Sequence, residues 1–98
     1  MGRKERRQDM QIEKTKGRHL AKNENDGVMG YITYKERGEN TVEIDHTVVY
    51  EAYKGQGLAS KLVRSVADEA RKKGWKIIPT CSYAEAWFQK HDDEKDLL

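Results

Sequence analysis

The residues with the clearest chemical potential are Gly55 and Gly57, in the stretch Tyr53-Lys54-Gly55-Gln56-Gly57-Leu58-Ala59 between an apolar run and an amphipathic one. Glycine allows a tight turn and lets an anion come close to the backbone. A loop that opens a helix also frees backbone N–H groups and adds the positive end of the helix dipole. Together these form an anion site, typically for phosphate. A tight turn without a ligand is the alternative that the spacing leaves open. Two other phosphate loops are excluded. A Walker loop needs Gly-x4-Gly-Lys followed by Ser or Thr, which the sequence lacks. A dinucleotide fingerprint could take Ser60 as its third small residue, but about twenty positions on, where an acidic residue belongs, stands Trp75. Cys81 follows Pro79-Thr80 at the end of the last expected strand, where α/β sheets collect ligands. His46 sits mid-strand, on the face expected to carry Ile44, Val48 and Tyr50.

These residues need elements to hold them. Positions 41–50 are rich in β-branched and aromatic residues and read as a strand. After the glycines, Leu58, Leu62, Val63, Val66, Ala67 and Ala70 recur at helical spacing, predicting a helix over 58–73. Gly74 suits its C-cap, with Arg71, Lys72 and Lys73 complementing the dipole. Trp75-Lys76-Ile77-Ile78 follows as a strand that Pro79 ends. A crossover of this length makes the flanking strands parallel and the connection right-handed. Ala84, Trp87, Phe88 and His91 predict a short second helix, and the segment from Asp92 to Leu98 reads as mostly solvated, with Leu97 docking back. Upstream, strands near Met10–Glu13 and Arg18–Ala21 flank a turn at Lys16-Gly17. A strong turn signal at Asn23–Gly27 precedes a strand over Val28–Glu36, and Arg37–Asn40 turns the chain again. The fold class is α+β: an antiparallel meander of three to four strands, then a β-loop-α-β unit with a splayed parallel strand, then a short C-terminal helix.

Composition narrows the function. Residues 1–9 read as a disordered basic tail and residues 10–98 as a single domain, which at this size buries roughly 60–65% of its unfolded surface. Charged residues make up 37% of the chain, yet its net charge is only +2. The tail accounts for that excess, because residues 10–98 hold 15 basic and 15 acidic groups. A nucleic-acid binder normally carries a basic face on its folded body, so nucleic acid is not an expected partner. No apolar run approaches the ~20 residues of a membrane span, and one cysteine fits a reducing compartment, so the expected location is cytoplasmic. The histidines, cysteine and carboxylates show no metal-ligand spacing.

With loop and topology placed, the chain resembles the GNAT superfamily of N-acetyltransferases. In that family a meander leads into a strand, a pyrophosphate loop of form Arg/Gln-x-x-Gly-x-Gly/Ala, a helix and a splayed parallel strand. Lys54-Gly55-Gln56-Gly57-Leu58-Ala59 matches, with Gly57 and Ala59 at the two small positions. Lys54 departs from the usual Arg or Gln, keeping the charge but losing the planar fork. The resemblance tightens to the minimal branch of roughly 90–110 residues. Its carriers are Ile44-Asp45-His46-Thr47, Gly55-Gln56-Gly57-Leu58-Ala59, Ile78-Pro79-Thr80-Cys81-Ser82-Tyr83, and Trp87-Phe88-Gln89-Lys90-His91 followed by Asp96-Leu97. The resemblance covers about residues 10–98.

The resemblance implies acetyl-CoA as cofactor, an N-acetyltransferase activity, and the absence of a helical segment with which larger relatives build the acceptor site. It places the pyrophosphate on the amides of Gly55, Gln56, Gly57, Leu58 and Ala59, with Lys54 and Lys61 nearby. The pantetheine arm would pair with the backbone of Val48, Val49 and Tyr50, and an N–H near Val48 or Val49 would stabilise the oxyanion. Cys81 is then either a nucleophile or neighbour of the departing thiol, or a small buried hydrophobe. His46 either activates Cys81 or deprotonates the acceptor, or is a hydrogen-bonded structural residue. Tyr83 either protonates the thiolate or packs in the core. Trp75, Trp87 and Phe88 are expected in the core, and His19 and His91 as surface or capping residues. The acceptor is an amine of a small molecule or a protein, and a homodimer is left open. The alternative function is a non-catalytic acyl-CoA-binding module whose open side docks another protein.

Overall fold

Alternating apolar positions in the first half of the chain form one sheet, and the helical stripe of the second half covers one of its faces. The computed structural model describes residues 10–98, so the tail expected over residues 1–9 lies outside the described residues. The elements are β1 (Gln11–Thr15), β2 (Arg18–Lys22), β3 (Val28–Glu36), β4 (Thr41–Val49), α1 (Leu58–Lys73), β5 (Lys76–Pro79) and α2 (Ser82–Lys90). Short 3-10 segments over Glu51–Tyr53 and Asp92–Leu97 complete the chain. The five strands lie in the order β1-β2-β3-β4-β5, antiparallel except for the parallel β4–β5 pair. This is the α+β architecture expected from the sequence.

Ala21, Ile32, Tyr34, Val42 and Ile44 of the sheet pack against Leu62, Val63, Val66, Ala67 and Ala70 of α1. Trp87 and Phe88 of α2, together with Leu97, close the same core. Leu62 is fully buried, so truncating it to alanine would cost about 2–5 kcal/mol. Gly74 ends α1 in the left-handed conformation, φ 74°, and its N–H bonds the Ala70 carbonyl, the C-cap the sequence predicts.

Three expectations are corrected. The first concerns β4. Tyr34 lies opposite Ile44 but Thr33 lies opposite His46, which makes Asp45 the extra residue of a bulge. A bulge resets the two-residue alternation. Ile44 therefore faces the helices with Tyr34, while His46 turns to the open face with Thr33. Thr47, opposite the buried Ile32, returns to the helix side. His46 does not share a face with Ile44, although Val48 still does with His46.

The second correction is His19, which is no surface residue: it is 1% exposed beneath α1, and its Nδ1 is 2.8 Å from Ser65 Oγ. The third is Glu94, in a C-terminal segment that is otherwise mostly exposed as expected. Glu94 is only 7% exposed and takes hydrogen bonds from Arg64 at 2.7 Å and Arg71 at 2.9 Å. Arg71 also holds Asp96, at 2.9 Å. These charge pairs dock the segment on α1, and Leu97 follows it into the core as expected.

Candidate functional site

The site begins where two strands part. Parallel pairing of β4 and β5 runs from Thr41–Lys76 to Ile44–Pro79 and stops there. The amides of Thr80 and Cys81 both donate to the Ile44 carbonyl, at 3.0 and 3.2 Å, forming the last joint. Beyond it, β4 continues alone on that side through Val49 while the other arm turns into α2. Pro79 favours this departure because it has no N–H with which to continue the ladder. The apex is anchored. Thr80 donates its hydroxyl to the Glu43 carboxylate at 2.6 Å, and Arg37 bonds the same carboxylate. The Thr80 hydroxyl, then Arg37, hold the Glu43 carboxyl below the usual carboxylate range.

The other wall is the glycine loop. A 3-10 turn over Glu51–Tyr53 leads into Gly55 at φ 87° and Gly57 at φ 77°, both left-handed. No other residue type adopts that conformation so readily. A Cβ built on either glycine meets nothing within 4 Å, so both backbones face open space. Gly57 is the N-cap of α1 and so provides no side-chain cap, and the first turn contains no acidic residue. The first amides of a 16-residue helix therefore remain available to an external anion.

Between these walls lies a cleft of about 580 Å³. Of the sequence-predicted cofactor residues, Val48, Val49, Lys54, Gly55, Gly57, Leu58 and Ala59 line it. Tyr83, in the first turn of α2 and 40% exposed, lines it as well. Thr47 and Tyr53 also line it and were missed as site residues. Both stood inside motifs the sequence displayed, but only the bulge turns Thr47 inward.

Cys81 caps α2, its Sγ accepting from the Ala84 amide at 3.4 Å. The same sulfur is 3.3 Å from Thr47 Oγ1, across the fork. Trp87 Nε1 donates to Ser60 Oγ at 2.9 Å, tying α2 to the first turn of α1. His91 stacks on Trp87 at 4.0 Å and donates from Nδ1 to the Trp87 carbonyl at 2.7 Å, a capping role as expected.

Four predicted residues lie elsewhere. The His46 side chain is 69% exposed on the open face of the sheet, with Nδ1 3.6 Å from Asp45. It reaches neither Cys81 nor Tyr83 by any hydrogen bond among the described residues. Burial opposes the charge of Asp45, but the Thr33 hydroxyl at 2.6 Å and its own backbone outweigh that and hold its carboxyl below the usual range. Tyr50 uses its amide on the Met29 carbonyl at 2.9 Å and turns its ring toward Tyr31, away from the cleft. Lys61 points around α1 into a separate hollow beside Met10 and Ile12. Gln56 is exposed at the loop tip. Lys54 stays on the cleft rim, 3.3 Å from Glu51.

The chain matches known proteins over this same region. The sequence profile described as GCN5-related N-acetyl-transferase covers residues 18–97. A GCN5-like protein of Staphylococcus aureus, solved in solution by NMR, is 32% identical and superposes with a TM-score of 0.74 over 92% of this chain and 88% of its own. A GNAT family acetyltransferase of Elizabethkingia anophelis, crystallised with acetyl-CoA bound, is 25% identical, with a TM-score of 0.62 over 76% of this chain and 51% of its own. Protein NATD1 of Xenopus tropicalis is 28% identical over 60 residues, so the match spans 61% of this chain and 55% of that relative's length. The fork, the glycine loop and the profile match coincide, and the chain belongs to the GCN5-related N-acetyl-transferase family.

Proposed function

We propose that this protein is an acetyl-CoA-dependent N-acetyltransferase that acetylates an amine of a small molecule or a protein. The observation that carries this reading is the continuity of one cleft from the unpaired end of β4 to the uncapped start of α1. A long ligand with an anionic head and a strand-like arm fits such a path. When bound, acetyl-CoA supplies an acetyl thioester open to attack by an amine. The residues present fit it. The amides from Gly57 through the first turn of α1 offer donors to a pyrophosphate, and Lys54 adds charge at the rim. The edge of β4 at Thr47–Val49 offers backbone groups that no strand of the sheet takes on that side.

The chain's own side chains suggest how protons move. Tyr83 holds a phenolic proton on the cleft wall for a departing thiolate. Cys81 stands at the fork, where its sulfur either receives the acetyl group before the amine does or packs beside a direct transfer. His46, on the open face, could serve an amine arriving from that side but not the Cys81 thiol.

Calorimetric titration with CoA, alongside intact-protein mass spectrometry after mixing with acetyl-CoA, tests the reading. Saturable binding is expected, and an acetyl adduct that vanishes in Cys81→Ala would establish the covalent route. Binding without an adduct would leave direct transfer. Absence of binding would overturn the proposal.

A further inference from the structure

A second cavity, of about 650 Å³, lies at the other end of β4 between β2, β3 and the last turns of α1. It touches β4 at Val42, whereas the cleft begins at Thr47, so the two are separated by roughly 15–20 Å of strand. We propose that this cavity binds a small aromatic carboxylate that carries a hydroxyl group, at a site separate from the acetyl-transfer cleft.

Two buried polar groups point to a missing partner. The hydroxyl of Ser65 donates its one proton to the Leu62 carbonyl at 2.7 Å. It must therefore accept from His19, whose Nδ1 lies 2.8 Å away. That assignment leaves the proton on Nδ1 and a lone pair on Nε2. Among the described residues Nε2 has no hydrogen-bond partner, although the ring is buried and lines the cavity. Burial, then the nearby Lys14, hold the His19 imidazole down to about 4, so the lone pair persists at neutral pH. Tyr34 is 8% exposed, lines the same cavity, and its hydroxyl likewise has no partner among the described residues. Buried polar groups are normally satisfied, and two such groups facing one cavity call for an occupant with a donor.

The remaining lining defines the rest of that occupant. Tyr34 and Trp75 stand 5.8 Å apart with their rings tilted at 53°, giving apolar aromatic walls. Lys14, Lys16, Lys35 and Lys73 outnumber Glu36 and Glu69 around the opening, and Glu69 is already paired with Lys73 at 2.9 Å. An aromatic ring suits the walls, a hydroxyl donates to His19 Nε2, and a carboxylate meets the lysine rim.

The test is an NMR titration of the ¹⁵N-labelled protein with 4-hydroxybenzoate, with benzoate as the probe lacking the donor. Saturable shifts of the His19 Nε2 and Trp75 indole nitrogens are expected, with benzoate about tenfold weaker, as for loss of one well-placed hydrogen bond. A double Lys14→Glu, Lys16→Glu variant, on exposed positions, should weaken binding while its circular dichroism stays unchanged. Unmoved resonances up to millimolar probe would mean that only water bridges His19 and Tyr34, and would overturn the proposal. Equal affinity for benzoate, or full affinity in the double variant, would overturn it too. None of these outcomes depends on CoA binding.

Discussion

Thr47 Oγ1 lies 3.3 Å from Cys81 Sγ, joining the free end of β4 to the second residue beyond the end of β5. The two residues are 34 positions apart in sequence, and neither faces the other unless the Asp45 bulge turns Thr47 toward the helices. The contact gives Cys81 two roles, as cap of α2 and as a sulfur at the fork, which substitutions can separate.

Cys81→Ser should keep the bond from the Ala84 amide, because a serine hydroxyl is a strong N-cap, and so hold stability within about 0.5 kcal/mol of the parent. Cys81→Ala should lose about 0.5–1 kcal/mol in denaturant unfolding. If the acetyl group passes through sulfur, both variants lose the acetyl adduct in mass spectrometry, although only one is destabilised. Retained turnover in both would assign direct transfer.

Gly57→Ala puts a Cβ on a backbone at φ 77°, at a cost of about 1–2 kcal/mol. The added methyl also projects into the open space by which an anion approaches the start of α1. Affinity for CoA, measured by calorimetry, should fall about tenfold or more, equivalent to ~1.4 kcal/mol. An alanine at Gln56, exposed beside it, should leave that affinity nearly unchanged.

His19 makes stability depend on pH. Its folded-state pKa is lowered from the ordinary 6.5 to about 4, first by burial and then by Lys14, with Glu69 opposing. The unfolded chain therefore takes up a proton below about pH 6.5 that the folded state refuses. The stabilisation is fully present above that pH and is lost as pH falls toward 4. The loss should be on the order of 2–3 kcal/mol across that window. Urea unfolding from pH 7 to 4 measures it, and His19→Gln should flatten the slope there while lowering stability at pH 7.

The docked C-terminal segment predicts a different acid response. The Arg71 guanidinium, then burial in opposition and Arg64, hold the Glu94 carboxyl below the usual range, so its contribution is present at neutral pH and lost on acidification below about pH 4.5. Glu94→Gln should cost about 1–3 kcal/mol at pH 7, discounted for the partly exposed arginines. Hydrogen exchange should show the amides from Asp92 to Leu98 opening more often in that variant.

Much of this was legible in the residues. The boundaries of β3 and α1, the Gly74 cap, the turn at Asn23–Gly27 and the docking of Leu97 follow local rules of periodicity, capping and glycine conformation. The glycine loop was legible for the same reason, since the positive φ of Gly55 and Gly57 is a property of the local chain. The misplacement of His46 and Tyr50 has one origin. A bulge is set by how two strands pair, and nothing in the alternation of β4 announces it. His19 and Glu94 were misread because a histidine and an acidic residue look solvated until Ser65 and two arginines are brought to them.

By itself, then, the sequence determined the order of elements, the α+β class and the phosphate-type loop, since each arises from neighbours within one helical turn or one strand. Only the tertiary structure decided which β4 side chains face the cleft, that Thr47 meets Cys81, and that Tyr83 shares a wall with the loop. Those relationships depend on where β4 bulges and where β5 leaves it, and both are fixed by contacts between segments far apart in the chain.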